Sequence, residues 1–446
     1  MNLSVNRRDF IKKSALAGVG LSVFPFHILE GRDDRTVNIG LIGVGSRGQT
    51  HLRTLLRRND VNVTAISDID DGMIEQTLEI FREAGAVEPY VYSDDEFGYE
   101  KLNERDDVDG VIISTPWRWH EAQAVDAMKK GNYVGLEIPA ALTVEGCWNL
   151  VRTSEETGMP CMLLENVCYR RDVMAVLNMV REGLFGETIH ARCGYRHSLF
   201  DFMLDEEKNF GPGTGPVSNW RMDHYVKRNG DLYPNHGVGP VAHWLDIDRG
   251  NRFMTISSTS TKARGINEHI KSRMGAGHPN ATKTFKCGDI VTSTLTTARG
   301  ESVIVTHDTT LPRPYSLDFQ IQGTKGIWLN DNRSIHIDLE SPDHQWETFE
   351  DYRKKFDSNL WQLYEREALG AGHGGIDFFV MNGLIEAMKN RSFVPIDVYD
   401  AATWSVISPL SEKSIAQGGQ PIRFPDFTRG NWMANKPIFK PEELGY

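Results

Sequence analysis

The stretch that decides the fold runs from Val37 to Asp68 and reads VNIGLIGVGSRGQTHLRTLLRRNDVNVTAISD. Its first six residues are short and apolar, as a strand buried on both faces requires. They lead straight into Gly43-x-Gly45-x-x-Gly48, after which Leu52, Leu55 and Leu56 follow in a helical pattern. A second strand pattern, Val61 to Ser67, ends on Asp68, twenty residues past the last glycine. The three glycines then serve different ends. Gly43 permits the tight turn, Gly45 lets backbone approach a pyrophosphate, and Gly48 lets the helix pack on the strand. The helix start offers unpaired N–H groups and a favourable dipole to phosphate. Asp68 is placed to accept hydrogen bonds from an adenosine ribose and to repel a 2′-phosphate, which predicts NAD rather than NADP. A glycine motif alone is weak, but strand, helix, strand and acid in register predict a dinucleotide-binding Rossmann domain.

Beyond Asp68 the same alternation continues. Helical patterns at 72–84, 121–131 and 144–158 separate strand patterns at 109–114, 132–136 and 161–165. Such alternation predicts a parallel sheet with crossover helices, and ligands of such sheets gather at the carboxyl ends of strands. Ser114 to His120, Glu137 to Pro139 and Asn166 all stand at those ends, which groups them in one cleft. From Tyr169 the pattern changes. A helix at 172–182 leads to a strand at 188–197, a glycine-rich stretch at 210–216, and then Asn219-Trp220-Arg221. The run from Asp231 to Gly237 opens a helix ending at Trp244, and β patterns follow at 255–261, 289–297, 302–308, 317–323 and 326–330. These predict an α+β domain with a mostly antiparallel, open sheet of about five or six strands. Late helices at 375–390 and 398–417 are expected to pack back across both domains. The domain boundaries expected are 1–30, 31–168 and 169–446.

At 446 residues, two folded domains are the natural division. A net charge of −12 argues against nucleic acid or an anionic membrane surface as partner. Five cysteines without CxxC spacing give neither a disulfide framework nor a zinc site, and no His/Cys cluster predicts a metal. Arg7-Arg8-Asp9-Phe10-Ile11-Lys12 precedes a modest apolar run, Ala15 to Phe26, broken by Gly18, Gly20 and Pro25. That run is too short to span a membrane, and no other segment is apolar enough to do so. The basic pair and weak apolar core resemble a twin-arginine export signal, so an exported, periplasmic protein is expected. A frayed basic terminus is the plain alternative.

Taken together, GVGSRG (43–48), STPWRWH (114–120), LEIPAAL (136–142), LENVCYRRD (164–172), Asn219-Trp220-Arg221 and LYPNHGVGPVAHWLDI (232–247) resemble the Gfo/Idh/MocA oxidoreductases. Within them the chain most resembles glycoside hydrolase family 109, the NAD-dependent α-N-acetylgalactosaminidases, over nearly everything from Val37 to about Gln417. The resemblance implies that Ser46, Arg47 and Asp68 contact the pyrophosphate and ribose of NAD. It implies that Trp117, Arg118, Trp119, His120, Glu137, Ile138 and Asn166 line the rest of the dinucleotide. Tyr195, Arg221, Tyr233, Pro234, Asn235, His236 and Tyr315 would surround a glycan ending in α-linked N-acetylgalactosamine. Subunits of this family commonly pair through an open sheet face, so a homo-oligomer is implied as well. One departure stands out: sugar dehydrogenases of the wider family carry Glu-Lys-Pro, and Ile138 replaces that lysine here. An aliphatic side chain cannot polarise an oxygen, so the proton work must lie elsewhere.

His236 is the leading acid/base candidate, because histidine titrates near neutrality and this one starts a helix at the expected mouth of the cleft. A packed or capping histidine is the alternative. Tyr233, three residues earlier, is placed to share its proton. His243 with Asp246 suggests helix packing rather than a metal site. Arg221 beside Trp220 suits a hydroxyl- or acetamido-contacting cation next to a sugar-stacking ring. Trp117 and Trp119 suit either the nicotinamide or core filling, and Glu137 either ribose hydroxyls or a base. The family scheme is redox-neutral: hydride leaves carbon 3 of the sugar, the ketone acidifies carbon 2, the glycosidic oxygen is eliminated, water adds, and hydride returns. That scheme suits a compartment with no recycling pool of nicotinamide, and it differs from the two-carboxylate glycosidase. An exported sugar dehydrogenase, or a non-catalytic sugar-binding protein on the same fold, are the competing expectations.

Overall fold

A computed structural model describes residues 35–215 and 217–439. The proposed export signal at 1–30 therefore lies outside the described residues. The first domain is a six-stranded parallel sheet of β1 (Val37–Ile42), β2 (Val61–Ser67), β3 (Tyr90–Tyr92), β4 (Gly110–Ile113), β5 (Tyr133–Leu136) and β6 (Cys161–Leu163). Their spatial order is β3-β2-β1-β4-β5-β6, so the strand order reverses beside β1, where doubly wound sheets bind their ligands. Helices Ser46–Leu55, Asp71–Glu83, Gly98–Asn103, His120–Lys129 and Val144–Thr157 fill the crossovers. Asp70 caps the second by accepting from Met73 N–H, and Thr143 caps the last by accepting from Gly146 N–H. The three-residue β3 and the helix after it lie between the expected helix at 72–84 and the expected strand at 109–114, where no element was expected.

The second domain is one nine-stranded sheet, three strands more than the upper expectation. It comprises β7 (Thr188–Arg196), β8 (Phe253–Ser260), β9 (Ile290–Thr297), β10 (Ser302–Asp308), β11 (Gln320–Gly323), β12 (Gly326–Leu329), β13 (Ser334–Ile337), β14 (Glu347–Thr348) and β15 (Ile422–Arg423). The extra strands, β13 to β15, are two to four residues long and extend the edges of the sheet, too short to leave an alternation. All pairs are antiparallel except β7 with β10. Alternation is clean in β9 and β10, where Val291, Leu295, Val303 and Val305 turn into the core.

Two late segments join the domains. Helix Ile376–Asn390 lies across the first sheet, with Leu384 and Met388 filling the space that a Cβ on Gly135 or Gly110 would need. The expected helix 398–417 is two, Val398–Ser405 and Ile407–Ala416, divided at Val406. Pro409 explains the break, having no N–H for the Ser405 carbonyl and a ring that crowds it. Ser405 Oγ then accepts from Ala140 N–H at 2.9 Å, tying this junction to the end of β5. All five cysteines are buried and unbridged. Among the described residues no helix is long and apolar enough to cross a membrane.

Candidate active site

The glycine turn separates what the fold needs from what a ligand needs. Gly43 has φ +86°, and a Cβ there would lie 2.7 Å from the Thr115 nitrogen. A Cβ on Gly48 would lie 2.1 Å from the Gly43 carbonyl oxygen, so packing alone demands both glycines. At Gly45 a Cβ would meet nothing within 4 Å. That open space lies at the start of helix Ser46–Leu55, which has no side-chain cap and no acid in its first turn. Free backbone N–H groups facing open space are a phosphate cradle. Asp68, half-buried at the end of β2, accepts from Val44 N–H at 2.7 Å and from Ile69 and Asp70 N–H. It clamps the turn and, with a lone pair to spare on Oδ2, can still accept from a ribose. The residues present fit a dinucleotide.

From this cradle a cavity of about 790 Å³ runs between the domains. Ser46, Arg47, Trp117, His120, Glu137, Ile138 and Asn166 line it from the first domain, and Tyr195, Arg221, Tyr233, His236 and Tyr315 from the second. The Arg47 side chain does not turn toward the cradle. Its Nε donates to Glu137 at 2.6 Å, and Nη1 and Nη2 donate to Asp377 at 2.8 and 3.2 Å. Asn166 donates to Asp377 at 2.7 Å, and His51 meets Glu137 at 2.7 Å. Burial works to raise both carboxyls, but the Arg47 charge and the histidine hydrogen bonds outweigh it and hold both well below the carboxylate range. Burial, helped by Arg47, pushes His51 down. Arg47 therefore braces the cavity wall with its side chain, and only its backbone remains for a pyrophosphate.

The stretch 117–120 divides in the structure. Trp117 stacks on Tyr233, with centroids 5.5 Å apart at 22°, and so bridges the domains. His120 clamps two strand ends, 2.8 Å from the Pro139 carbonyl and 2.7 Å from that of Thr115. Arg118 is exposed and lies over Trp119, which packs against Phe97 and Tyr99; neither Arg118 nor Trp119 lines the cavity. A one-turn helix sends successive side chains different ways, so four consecutive residues cannot all face one ligand. Pro234 and Asn235 also lie behind the surface. The Pro234 carbonyl accepts from Gly237 and Val238 N–H, and the fully buried Asn235 donates to Ser405 Oγ at 3.2 Å. They start the helix instead of touching a sugar.

That helix start explains the position of His236. A Cβ on Gly237 would lie 2.6 Å from the Gly194 nitrogen, so helix Asn235–Trp244 approaches β7 as only glycine allows. His236 and Tyr195 thereby come within 5.2 Å, and Tyr233 lies 4.9 Å from Tyr195 and 5.2 Å from His236. Behind His236, Nδ1 meets Glu165 Oε1 at 2.7 Å, and Glu165 is fully buried. A carboxylate only accepts, so Nδ1 carries the proton and Nε2 presents a lone pair to the cavity. Arg221 lies 5.0 Å over Trp117 and 4.7 Å over Tyr233, with Nε and Nη2 buried and unpartnered among the described residues. Burial pushes the Tyr233 hydroxyl well up, against the pull of Arg221. His243 instead stacks on Phe439 at 4.4 Å, remote from this chemistry.

Residues 169–434 match the family description "Glycosyl hydrolase 109, C-terminal domain", and residues 37–164 match "Oxidoreductase family, NAD-binding Rossmann fold". The chain belongs to glycosyl hydrolase family 109. An α-N-acetylgalactosaminidase of Tannerella forsythia is 46% identical over 97% of this chain and 99% of its own length. One of Shewanella oneidensis is 40% identical over 90% of this chain and 87% of its own length. Levoglucosan dehydrogenase in complex with NADH and levoglucosan superposes with a TM-score of 0.66 at 18% identity, covering 88% of this chain and all of that one. That likeness concerns the fold, which this family 109 protein shares with dehydrogenases. Its first domain is an NAD-binding Rossmann domain.

Three residues of this family 109 site escaped the sequence reading. Glu165 had a signal, since it ends the strand segment beside Asn166. Asp377 and His51 had none: one is more than two hundred residues from Asn166, and the other looks like an ordinary helix residue. Among the described residues no group of His, Cys, Asp or Glu is placed to hold a metal ion.

Proposed function

We propose that this protein hydrolyses terminal α-linked N-acetylgalactosamine and returns its NAD unchanged at the end of each cycle. The observation that carries the reading is the make-up of the cavity. Glu137 is the only carboxylate lining it among the described residues, and Arg47 and His51 already engage that group. A direct glycosidase needs two carboxylates across the bond. Ile138, where the related dehydrogenases carry lysine, lines the same wall. What remains is a proton-moving pair beside a dinucleotide cradle.

NAD, which the turn Gly43–Gly48 and Asp68 would hold, would supply a hydride acceptor for carbon 3 of the sugar that is restored within the cycle. The protein's own work is on protons and charge. His236 Nε2, oriented by Glu165, serves as the base. Burial keeps Tyr233 protonated, so it enters as donor and relay between the sugar and His236. The unpaired guanidinium of Arg221 lies where negative charge collects once carbon 2 is deprotonated. Trp117 and Tyr233, stacked together, form an apolar wall on one side of the sugar.

Turnover of p-nitrophenyl α-N-acetylgalactosaminide in heavy water tests the scheme. The released sugar is expected to carry deuterium at carbon 2 and none at carbon 3, with no accumulation of NADH. Hydrolysis without label at carbon 2 would sink it, and steady NADH formation would favour the dehydrogenase alternative. The reading extends to location: the Arg7-Arg8 motif supports export by the twin-arginine route to the periplasm. Retention of the Arg7→Lys, Arg8→Lys variant in the cytoplasm is the expected outcome, and unchanged export of that variant would refute the assignment.

A further inference from the structure

The sugar-side wall of the cavity has a part that the chemistry above does not use. His197, Leu199, Phe202, Val217 and Trp220 line the cavity and all come from one segment, between the end of β7 and helix Arg221–Lys227. That segment is firmly seated. Leu199, Phe200, Met203 and Leu204 are all buried, and Phe200 stacks on His269 at 3.8 Å. The same turn holds Phe202 outward, 56% exposed, at the cavity mouth. His197 stands edge-on to both Phe202, at 6.2 Å, and Tyr315, at 5.0 Å, and Tyr315 is itself 47% exposed. Three rings thus form a rim, with Phe202 on an anchored turn and Tyr315 supplied from the connection between β10 and β11.

We propose that this rim, with Phe202 as its platform, binds the sugar to which the N-acetylgalactosamine is linked. The assignment rests on the function proposed above. Carbon 3 of the reacting sugar must face the Rossmann side of the cavity, where Ser114, Glu137 and Asn166 stand. The glycosidic oxygen is two ring atoms away, so the leaving group extends toward the opposite wall and the mouth. A pyranose carries one face of C–H groups, and laying that face on an exposed aromatic ring removes apolar surface from both. The cation that borders the rim, Arg170, is already engaged by Asp172 and Tyr315, which matches a neutral hexose rather than a charged peptide or nucleotide as leaving group.

The experiment compares Phe202→Ala with the wild type on two glycosides: methyl α-N-acetylgalactosaminide, which has no ring beyond the scissile bond, and N-acetylgalactosamine α-linked to galactose. Loss of one stacking partner is expected to lower kcat/KM on the disaccharide about five- to tenfold, with the methyl glycoside changed less than about twofold. Phe202→Trp is expected to retain the preference for the disaccharide. Equal loss on both substrates, or no loss on either, would overturn the subsite while leaving the proposed function standing. A wild-type protein that cleaves neither glycoside would remove the function and the subsite with it.

Discussion

Replacing Glu165 by glutamine is the sharpest perturbation of the proton chemistry. The side chain is fully buried, and its Oε1 lies 2.7 Å from His236 Nδ1 and 2.9 Å from Val167 N–H. Glutamine keeps the shape and an acceptor for Val167, so the turn it caps is preserved. Both bonds end on the same oxygen, so the amide keeps the acceptor and what disappears is its charge, a difference of about 1–1.5 kcal/mol. At about 1.4 kcal/mol per tenfold, kcat/KM on the nitrophenyl glycoside is expected to fall roughly five- to twelvefold. Glu165 does not line the cavity and acts only through His236, so the loss is expected in kcat, with KM changed less than about twofold. Bound NAD and thermal midpoint are expected to stay at wild-type levels. A rate within twofold of wild type would refute the positioning role. A loss carried by KM with kcat unchanged would refute it too, leaving Glu165 a packing residue.

The glycines predict a contrast between neighbours. Gly45→Val places its side chain in open space, so a normal thermal midpoint with little bound NAD is expected, whereas Gly48→Ala drives a methyl into the Gly43 carbonyl and should cost about 1–3 kcal/mol of stability. Full NAD content in Gly45→Val would place the cofactor elsewhere. Asp231, buried behind Tyr233, is pushed up to about 7 by burial, so the folded protein holds a proton there that the unfolded chain has already released. Its contribution to stability is complete below the unfolded value of about 4 and is lost as pH rises through about 7. Asp231→Asn still accepts from Tyr233 N–H and has no proton to lose, so its stability relative to wild type should climb across that window in urea titrations. His307, 3.5 Å away and pushed down to about 3 by burial, contributes with the opposite sign, and because it touches Asp231 the two are read as a pair. A flat difference between the two proteins would show that Asp231 is ionised throughout.

Local patterns were legible in the chain, and contacts across it were not. The Rossmann half could be read because strand, turn and helix within Val37 to Asp68 each leave a periodicity, and the glycines a spacing. Strands β7 to β12 could be read for the same reason, but β13, β14 and β15 owe their existence to a neighbouring edge and carry no pattern of their own. In the site, His236 stood out as a titratable residue at an expected helix start, and Tyr233 and Arg221 came from the family resemblance. Their partners did neither. Glu165 reaches His236 across 71 residues, and Asp377 holds Arg47 across 330. The four residues from Trp117 to His120 show the converse: contiguous in sequence, they divide between the cavity, the surface and a strand clamp, because a short helical turn scatters its side chains. Sequence motifs therefore identify which stretch approaches a ligand, whereas the choice of residue within that stretch is made by the packing behind it. In this protein the packing turns on Gly194 and Gly237. A methyl on Gly237 would press into the β7 backbone and push His236 away from Tyr195, so the placement of His236 depends on a residue that does not line the cavity.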